Sequence, residues 1–282
     1  MDVNTGPQAP MDLPGGAAPL AEVMDVVLRV GAVMVRSGAA AFRSRLTMAR
    51  VARSLGVQEC EFIVTPDLLQ ASLSSGGETV GRVMHLGESG VNMGCLAAVE
   101  LMSRELAATH QIADVGTVRE RLGVIERAPP SYPNWLTVVM LGAACAAFCG
   151  AMGAGAFEVA GAYVGAAIGH ALRLRLISKH THVVSLVTVC TFTSSLAAFG
   201  VVWGGAHLGS HVLPAFEVAS GKAVLASVLY LVPGVPLVTS LLDIIHFDLV
   251  AGVARAALAS LVVACIGVGM LIFLSVVRHV FP

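Results

Sequence analysis

The residues with the clearest potential for chemistry follow a pair of prolines in the apolar half of the chain. Thr239, Asp243 and His246 recur at spacings of four and three residues, which places them on one face of a helix. A carboxylate and an imidazole can take up and release a proton, and an ionisable group at membrane depth is costly enough to be a functional candidate. This face therefore predicts a binding site for a proton or a polar solute.

The residues just before that face predict a break in the helix. Pro233 and Pro236 each lack a backbone N–H and clash with the preceding turn, and Gly234 lies between them. Broken helices of this kind form substrate and ion sites in secondary transporters. The candidate site comprises Pro233, Gly234, Pro236, Thr239, Ser240, Asp243, His246, Asp248 and Arg255. The alternative is a proline kink followed by an ordinary charged loop, with Asp248 in water.

The composition indicates what must surround this site. Of 282 residues, 56% are hydrophobic and 12% are charged, whereas charged residues make up about a quarter of an average soluble domain. Residues 136–282 hold only 10 of the charges. A single soluble domain, a disordered chain and a disulfide-rich secreted module are therefore excluded. The net charge of −1 predicts no nucleic-acid partner.

Apolar stretches predict the transmembrane part. A bilayer core about 30 Å thick requires about 20 apolar helical residues, and we predict five spans within a transmembrane domain 131–282. It follows a disordered segment 1–19 and an α+β domain 20–130. More Lys and Arg residues flank the spans on the side of the N-terminus than on the other side, which predicts that this domain is cytoplasmic. The fold class is an α-helical integral membrane protein of the plasma (inner) membrane. The spans are residues 136–153, 156–176, 183–204, 223–242 and 256–277.

Small residues in the second predicted span form a ridge. Gly161, Gly165 and Gly169 recur at four-residue spacing, and small residues allow helix backbones to approach closely in lipid. The ridge predicts a tight helix–helix contact within the subunit or between subunits. The alternative is that glycine and alanine are simply abundant here.

The hydrophilic half has helical periodicity and three alternating stretches, residues 59–65, 68–73 and 79–86, which predict strands. The Ser-Ser-Gly-Gly run at residues 74–77 predicts a hairpin between the last two. This half contains no catalytic motif. It has no Walker A loop, GxSxG, HExxH, or GxGxxG after a strand. Ser37, Ser72 and His85 could meet in space, but nothing in the sequence orients them. The six cysteines and nine histidines lack zinc-ligand spacing. We therefore expect no enzyme activity, no cofactor and no metal.

The order of these features resembles the threonine/serine exporter family, specifically its N-terminal-half subunit. The resemblance covers about residues 20–275 and rests on short runs, among them Leu231 to Gly234 continuing through Asp243 to Arg255. A second set lies in the predicted cytoplasmic domain. Its motif residues are Ser37, Gly38, Arg43, Thr65, Pro66 and Asn92. The chain departs from the family where acidic residues are usual, at Ala40 and Arg45, and it lacks an arginine in the run from Ser240 to Asp243.

The resemblance implies a subunit of a secondary-active exporter of small polar metabolites, foremost amino acids such as threonine and serine. Some relatives handle dicarboxylates, which leaves a dicarboxylate exporter as an alternative. It also implies partners: the lipid bilayer, a second small multi-span subunit, other subunits in an oligomer, and a small-molecule substrate. Two rivals remain, a membrane-anchored hydrolase-like enzyme and a non-transporting assembly subunit.

Overall fold

The computed structural model describes residues 18–87, 90–109, 111–129, 132–179, 181–208 and 216–280, without the side chains of 206–208 and 216–220. All but two residues of the predicted disordered segment lie outside this part. The chain divides into two compact units. The first, called the N-terminal unit, comprises Met1–Pro129 and Val235–Ala256. The second, called the helical unit, comprises Pro130–Gly234 and Ala257–Pro282.

The N-terminal unit combines helices with a small antiparallel sheet. Its three strands have the order β1-β2-β3. Two further helical segments join it from the other end of the chain, as described below. The elements before residue 130 are α1 (Leu20–Arg36), α2 (Ala41–Ser54), β1 (Glu59–Val64), β2 (Leu68–Ser75), β3 (Glu78–His85), α3 (Met93–Ala108) and α4 (Val115–Arg127).

The register of the β2–β3 hairpin follows from its turn. Gly76 and Gly77 both have positive φ, at 59° and 82°, and a two-residue turn of that kind matches the right-handed twist of the strands it joins. The pairing runs without a break from Ser75 opposite Glu78 to Leu68 opposite His85. The glycine pair that predicts a hairpin therefore also sets its register.

Helix α1 forms the centre of the hydrophobic core in this unit. Val26, Val27 and Leu28 are consecutive and fully buried, which is typical of a helix covered on most of its sides. Met48 of α2 and Leu69 of β2 are also fully buried and belong to the same cluster. The sheet and the other helices therefore pack around α1. Helix α2 is held in place because its buried side chains belong to the same core.

The helical unit consists of long apolar helices. Three described helices are long and apolar enough to cross a bilayer: Asn134–Ala151, Val183–Gly205 and Leu249–Val280. A fourth candidate is the pair Gly221–Leu231 and Gly234–Ile245, which is bent by 61° at its break. These helices support the conclusion that the chain is a membrane protein. The total of five spans remains a prediction. The helices after residue 130 are α5 (Asn134–Ala151), α6 (Ala156–Ile177), α7 (Val183–Leu208), α8 (Phe216–Ser227), α9 (Gly234–Ile245) and α10 (Leu249–Val280).

Two of the predicted spans differ from the observed helices by more than a few residues at an end. The stretch 223–242 is divided between α8 and α9, because Val232 at the end of a 3-10 turn is extended, with φ −61° and ψ 125°. Helix α10 begins at Leu249 instead of residue 256 and has 32 residues. At 1.5 Å per residue it is about 48 Å long, which exceeds the apolar thickness of a bilayer. Its first turns belong to the N-terminal unit.

The glycine ridge of α6 lies against α7. A Cβ atom added at Gly161 would stand 2.9 Å from the carbonyl oxygen of Ala198, and one at Gly165 would stand 2.6 Å from that of Ser194. At Gly169 it would overlap the hydroxyl of Ser194. All three positions therefore face backbone or buried side chains within the helical unit, where even a methyl group lacks space.

Replacing Gly165 with alanine is expected to destabilise the protein although alanine favours helices. The added methyl meets a backbone carbonyl that cannot rotate away, and overpacking of this kind costs about 1–3 kcal/mol. Gly200 in α7 is the matched control, because a Cβ there meets nothing within 4 Å. Thermal unfolding in detergent should show a lower melting temperature for G165A than for the wild type. The melting temperature of G200A should not fall below that of the wild type. Equal melting temperatures would contradict the tight contact.

Candidate functional site

Helices α9 and α10 form a tight hairpin that carries most of the candidate residues. Ser240 donates a hydrogen bond from Oγ to the carbonyl oxygen of Gly252, at 3.0 Å. A Cβ at Gly252 would stand 2.6 Å from Cγ1 of Ile244 and 3.0 Å from the Ser240 carbonyl. Only glycine allows the helices to approach so closely. Residues Val235–Ala256, which include nearly all of α9 and the first turns of α10, belong to the N-terminal unit, although the sequence pattern predicts most of α9 as the end of a span.

The turn between α9 and α10 is a Schellman motif. The N–H of Asp248 bonds to the carbonyl of Asp243 and the N–H of Phe247 to that of Ile244, which is the 6→1 and 5→2 pattern of that motif. Phe247 takes the left-handed position with φ 61°, where glycine is usual. Its side chain is 88% exposed. The backbone strain is therefore not offset by packing within the described part of the chain.

A glycine at position 247 is expected to stabilise the hairpin. A β-carbon in the left-handed region costs about 1–2 kcal/mol, so F247G should be more stable than F247A by about 1 kcal/mol. Comparing glycine with alanine removes the effect of losing the aromatic ring. The measurement is thermal unfolding of both variants in the same detergent. If F247A proved the more stable of the two, the turn would not have this conformation.

Asp243 is the centre of the site. Its side chain is fully buried, and its Oδ1 accepts a hydrogen bond from the backbone N–H of Ala41 at 2.7 Å. Ala41 is the first residue of α2, and Ala40 before it provides no side-chain cap. Since the first N–H groups of a helix have no partner within the helix, Asp243 caps α2 from about 200 residues away in sequence.

Arg255 provides the positive charge beside this carboxylate. Its Nε lies 3.2 Å from Oδ2 of Asp243, and its side chain is only 9% exposed. The two atoms form an ion pair, but they are not aligned for a hydrogen bond. Within the described part of the chain, Oδ2 of Asp243 and both Nε and Nη2 of Arg255 have no hydrogen-bond partner. Breaking a buried pair leaves an uncompensated charge. The pair therefore ties α10 and α9 to the N-terminus of α2.

Two further contacts bind the same helices together. Arg45 of α2 pairs with Asp248 through two contacts of 2.6 and 2.7 Å, a bidentate arrangement. Phe42 and His246 stack with their ring centroids 3.8 Å apart and an interplanar angle of 3°. The His246 Nδ1 also lies 2.8 Å from the carbonyl oxygen of Leu242. Asp248 is thus engaged in an ion pair instead of lying free in a charged loop.

The remaining predicted residues of this set serve the helix break. Thr239 is buried, and its hydroxyl donates to the carbonyl of Val235 at 2.9 Å. Pro236 lies in the first turn of α9, where a missing N–H removes no helical hydrogen bond. The structure therefore brings Asp243, Arg255 and Ser240 together, while Thr239, Pro233, Gly234 and Pro236 shape the start of α9.

The predicted motif residues of the N-terminal unit make backbone contacts. The Ser37 carbonyl accepts from the N–H of Asn92 at 3.1 Å, Gly38 has φ 94°, and the Asn92 side chain caps α3. The Thr65 hydroxyl, in the turn that holds Pro66, accepts from the N–H of Leu68 at 3.0 Å. The last motif residue, Arg43, lies 3.9 Å from a carboxylate oxygen of Glu100. Among the hydrogen bonds and ion pairs of the described residues, none joins these motif residues to Asp243 or Arg255.

An open groove runs beside the stacked rings. It has a volume of about 380 Å³ and is lined by Phe42, Arg45, Leu46, Ala49, Cys60, Phe62 and His246. Burial raises the pKa of the Cys60 thiol, while the nearby charge of Arg53 lowers it, and the net result is a thiol that is neutral at physiological pH. The lining is apolar apart from the arginine and the histidine. The groove has room for a small metabolite.

The helical unit contains a polar cluster that the sequence analysis missed. His170 is buried and meets Tyr230 edge-to-face at 5.7 Å. The Tyr230 hydroxyl lies 3.1 Å from Oγ of Ser194, and Gly169 makes room for both hydroxyls. His170 Nδ1 and the hydroxyl of the fully buried Ser195 have no partner among the described residues. The four-residue glycine spacing could have pointed to this place.

The sequence analysis also missed the α2 side of the site. The Ala41 contact uses a backbone N–H, which no residue type reveals. Arg45 could have been found, because it stands where the resembled family has an acidic residue. Across the described residues, no group of three or more His, Cys, Asp or Glu side chains could hold a metal ion.

The long apolar helices and the mostly helical architecture define a membrane protein. A family model described as "Putative threonine/serine exporter" matches residues 25–277, and the chain belongs to this family. It is similar to proteins named "Probable succinate transporter subunit YjjP". The one from Klebsiella aerogenes is 29% identical over 78% of this chain and 81% of its own length. The one from Escherichia coli K12 is 27% identical over 88% and 93%. No solved structure matches.

These descriptions name transport, and the chain is accordingly a transporter subunit. They differ in the solute, since the family description names threonine and serine whereas the relatives' name gives succinate.

Proposed function

We propose that the chain is a subunit of a secondary-active exporter of small metabolites that carry a carboxylate, with Asp243 and Arg255 at its functional centre. The single observation that carries this proposal is the buried ion pair. An apolar helical hairpin has no need of two buried charges for stability, because apolar residues of similar volume are often equally stable there. A buried ion pair that stability does not require is a functional candidate.

The proposed roles of the other residues follow from their contacts. Asp243, with His246 three residues further on, would take up and release the coupling proton. The break at Pro233 and Gly234 would provide unpaired backbone groups to the solute, together with Thr239. The Ser240–Gly252 contact would keep the two helices in register while the site changes its occupant.

We propose threonine and serine as the first substrates to test and succinate as the second. Both classes share a carboxylate, which an arginine binds well. An amino acid also brings an ammonium group and, in these two cases, a hydroxyl. A dicarboxylate brings a second negative charge, which Arg45 beside the groove could attract.

The proposed setting is the plasma membrane with the N-terminal unit in the cytoplasm. The excess of Lys and Arg on that side supports this orientation. A second small multi-span subunit would complete the transport path, and the YjjP relatives are themselves named as subunits.

The experiment is export from cells that lack endogenous exporters of these solutes. Cells loaded with labelled threonine, serine or succinate should release one of them faster when they express this chain together with a candidate small multi-span partner. The chain alone is expected to give little release. If no combination accelerates release of any of the three solutes, the proposed function is wrong.

Two other functions make different predictions in the same cells. A membrane-anchored hydrolase would consume the solute without releasing it, and its product would accumulate inside. A non-transporting assembly subunit would be dispensable once the partner is overproduced. Measuring both intracellular and extracellular solute therefore separates the three.

A further inference from the structure

Arg255 offers more hydrogen-bond donors than Asp243 uses. A guanidinium carries five N–H groups, and its Nε and Nη2 are buried without an aligned acceptor among the residues that the structure describes. Buried donors are costly unless they are paired. The site around Arg255 therefore lacks acceptor atoms in the state that the structure shows.

The N-terminus of α2 adds a second group that attracts anions. Its N–H groups point outward and carry part of the positive end of the helix dipole. The residue before the helix, Ala40, has no side-chain acceptor to offer them. One carboxylate, that of Asp243, meets both the Ala41 N–H and the guanidinium. Two independent anion-binding groups thus converge on a single carboxylate.

We propose that Arg255 and the N-terminus of α2 form a carboxylate-binding site, that Asp243 occupies it as an internal ligand, and that the carboxylate of the exported solute displaces Asp243. This inference rests on the proposed function, because it takes the exported solute as the external ligand. Its ligand class is small metabolites with one or two free carboxylates.

The charge balance of the exchange requires a proton. Two carboxylates cannot both face one buried guanidinium at low cost, so Asp243 takes up a proton from water as the solute enters. The other charged or titratable groups around Asp243 are His246 and Asp248 on the turn after α9, and Arg45 on α2. Asp248 carries the same charge as Asp243 and is itself paired with Arg45. The proton and the solute carboxylate therefore bind together, and these two charges cancel within the site. The solute then leaves with a proton, and its own outward concentration gradient drives the export.

The groove provides the approach to this site. Phe42, which lines it, directly follows Ala41, and His246 is three residues beyond Asp243, immediately after the end of α9. The stacked rings of Phe42 and His246 thus border both the groove and the carboxylate site. A solute of the size of threonine or succinate fits a volume of about 380 Å³.

The test is solute binding to the purified full-length chain in detergent, with L-threonine and succinate as probes. Wild-type affinity should rise as the pH falls, approaching about tenfold per pH unit where one proton is taken up. D243N should bind at least tenfold more tightly than the wild type at neutral pH and lose this pH dependence. R255Q should bind neither probe.

Asp114 provides the matched control. It also caps a helix N-terminus, accepting from the Thr117 N–H at 2.8 Å, but it is exposed, and no arginine pairs with it within the described ranges of the chain. D114N should bind both probes with wild-type affinity and pH dependence. This comparison separates the loss of a helix cap from the loss of an internal ligand.

Three outcomes would overturn the inference. These are D243N binding no tighter than the wild type, wild-type binding that does not change with pH, and R255Q binding that equals wild-type binding. If D243N is too unstable to purify, the pH dependence of the wild type and the R255Q variant still decide. Export by the wild type with its partner, combined with any of these outcomes, would overturn only the displacement and leave the proposed function standing.

Discussion

Replacing Asp243 with asparagine is expected to abolish proton-coupled export while the chain still reaches the membrane. Asparagine has nearly the same shape and can still accept the Ala41 N–H through its amide oxygen. It cannot take up a proton, and it leaves Arg255 without a counter-charge. We expect any remaining release of labelled solute to be independent of external pH. The measurement is efflux across a range of pH, corrected for the amount of chain in the membrane fraction.

Asp114→Asn is again the control, since it changes the same atoms at an exposed helix cap. Its efflux should follow the wild-type pH profile. Efflux from D243N cells with that same pH profile would rule out Asp243 as the group that couples export to protons.

Removing Arg255 alone is expected to be among the most destabilising single changes in the chain. Arg255→Leu leaves a fully buried carboxylate without a counter-charge, and breaking such a pair costs about 3–5 kcal/mol. The double variant D243L/R255L removes both charges and should recover most of that loss, because apolar residues of similar volume are often neutral in place of a buried pair. Thermal unfolding of the full chain in detergent measures both effects.

An exposed ion pair provides the comparison. Arg29 and Glu126 contact each other with side chains 34% and 32% exposed, and exposed pairs contribute at most about 1 kcal/mol. Arg29→Leu should therefore shift the melting temperature far less than Arg255→Leu. A double variant as unstable as R255L, or equal shifts for R29L and R255L, would show that the Asp243–Arg255 charges are not coupled.

The sequence predicts those parts of the fold that depend on local pattern. The strands β1 to β3, the glycine pair of their hairpin and the apolar helices follow from periodicity and turn chemistry. The break at Pro233 follows from the missing N–H groups of proline. Each of these signals lies within a few residues of the feature that it predicts.

The parts that the sequence could not predict depend on distant contacts. Hydropathy describes how apolar a stretch is but not what it packs against, so α9 was predicted as the end of a span although it joins the N-terminal unit. The cap on α2 joins Asp243 to a backbone N–H about 200 residues away, next to two unremarkable alanines. The start of α10 at Leu249 is not predicted for a related reason, because Arg255 interrupts the apolar pattern and its partner, Asp243, lies on the other helix of the hairpin.

Proton uptake on solute binding tests the central claim most directly. The purified wild-type chain, mixed with L-threonine or succinate in weakly buffered solution near neutral pH, is expected to take up one proton for each molecule bound. D243N is expected to bind the same solute without taking up a proton. Saturable binding to the wild type with no proton uptake, or equal uptake by D243N, would contradict the role assigned to the Asp243–Arg255 pair.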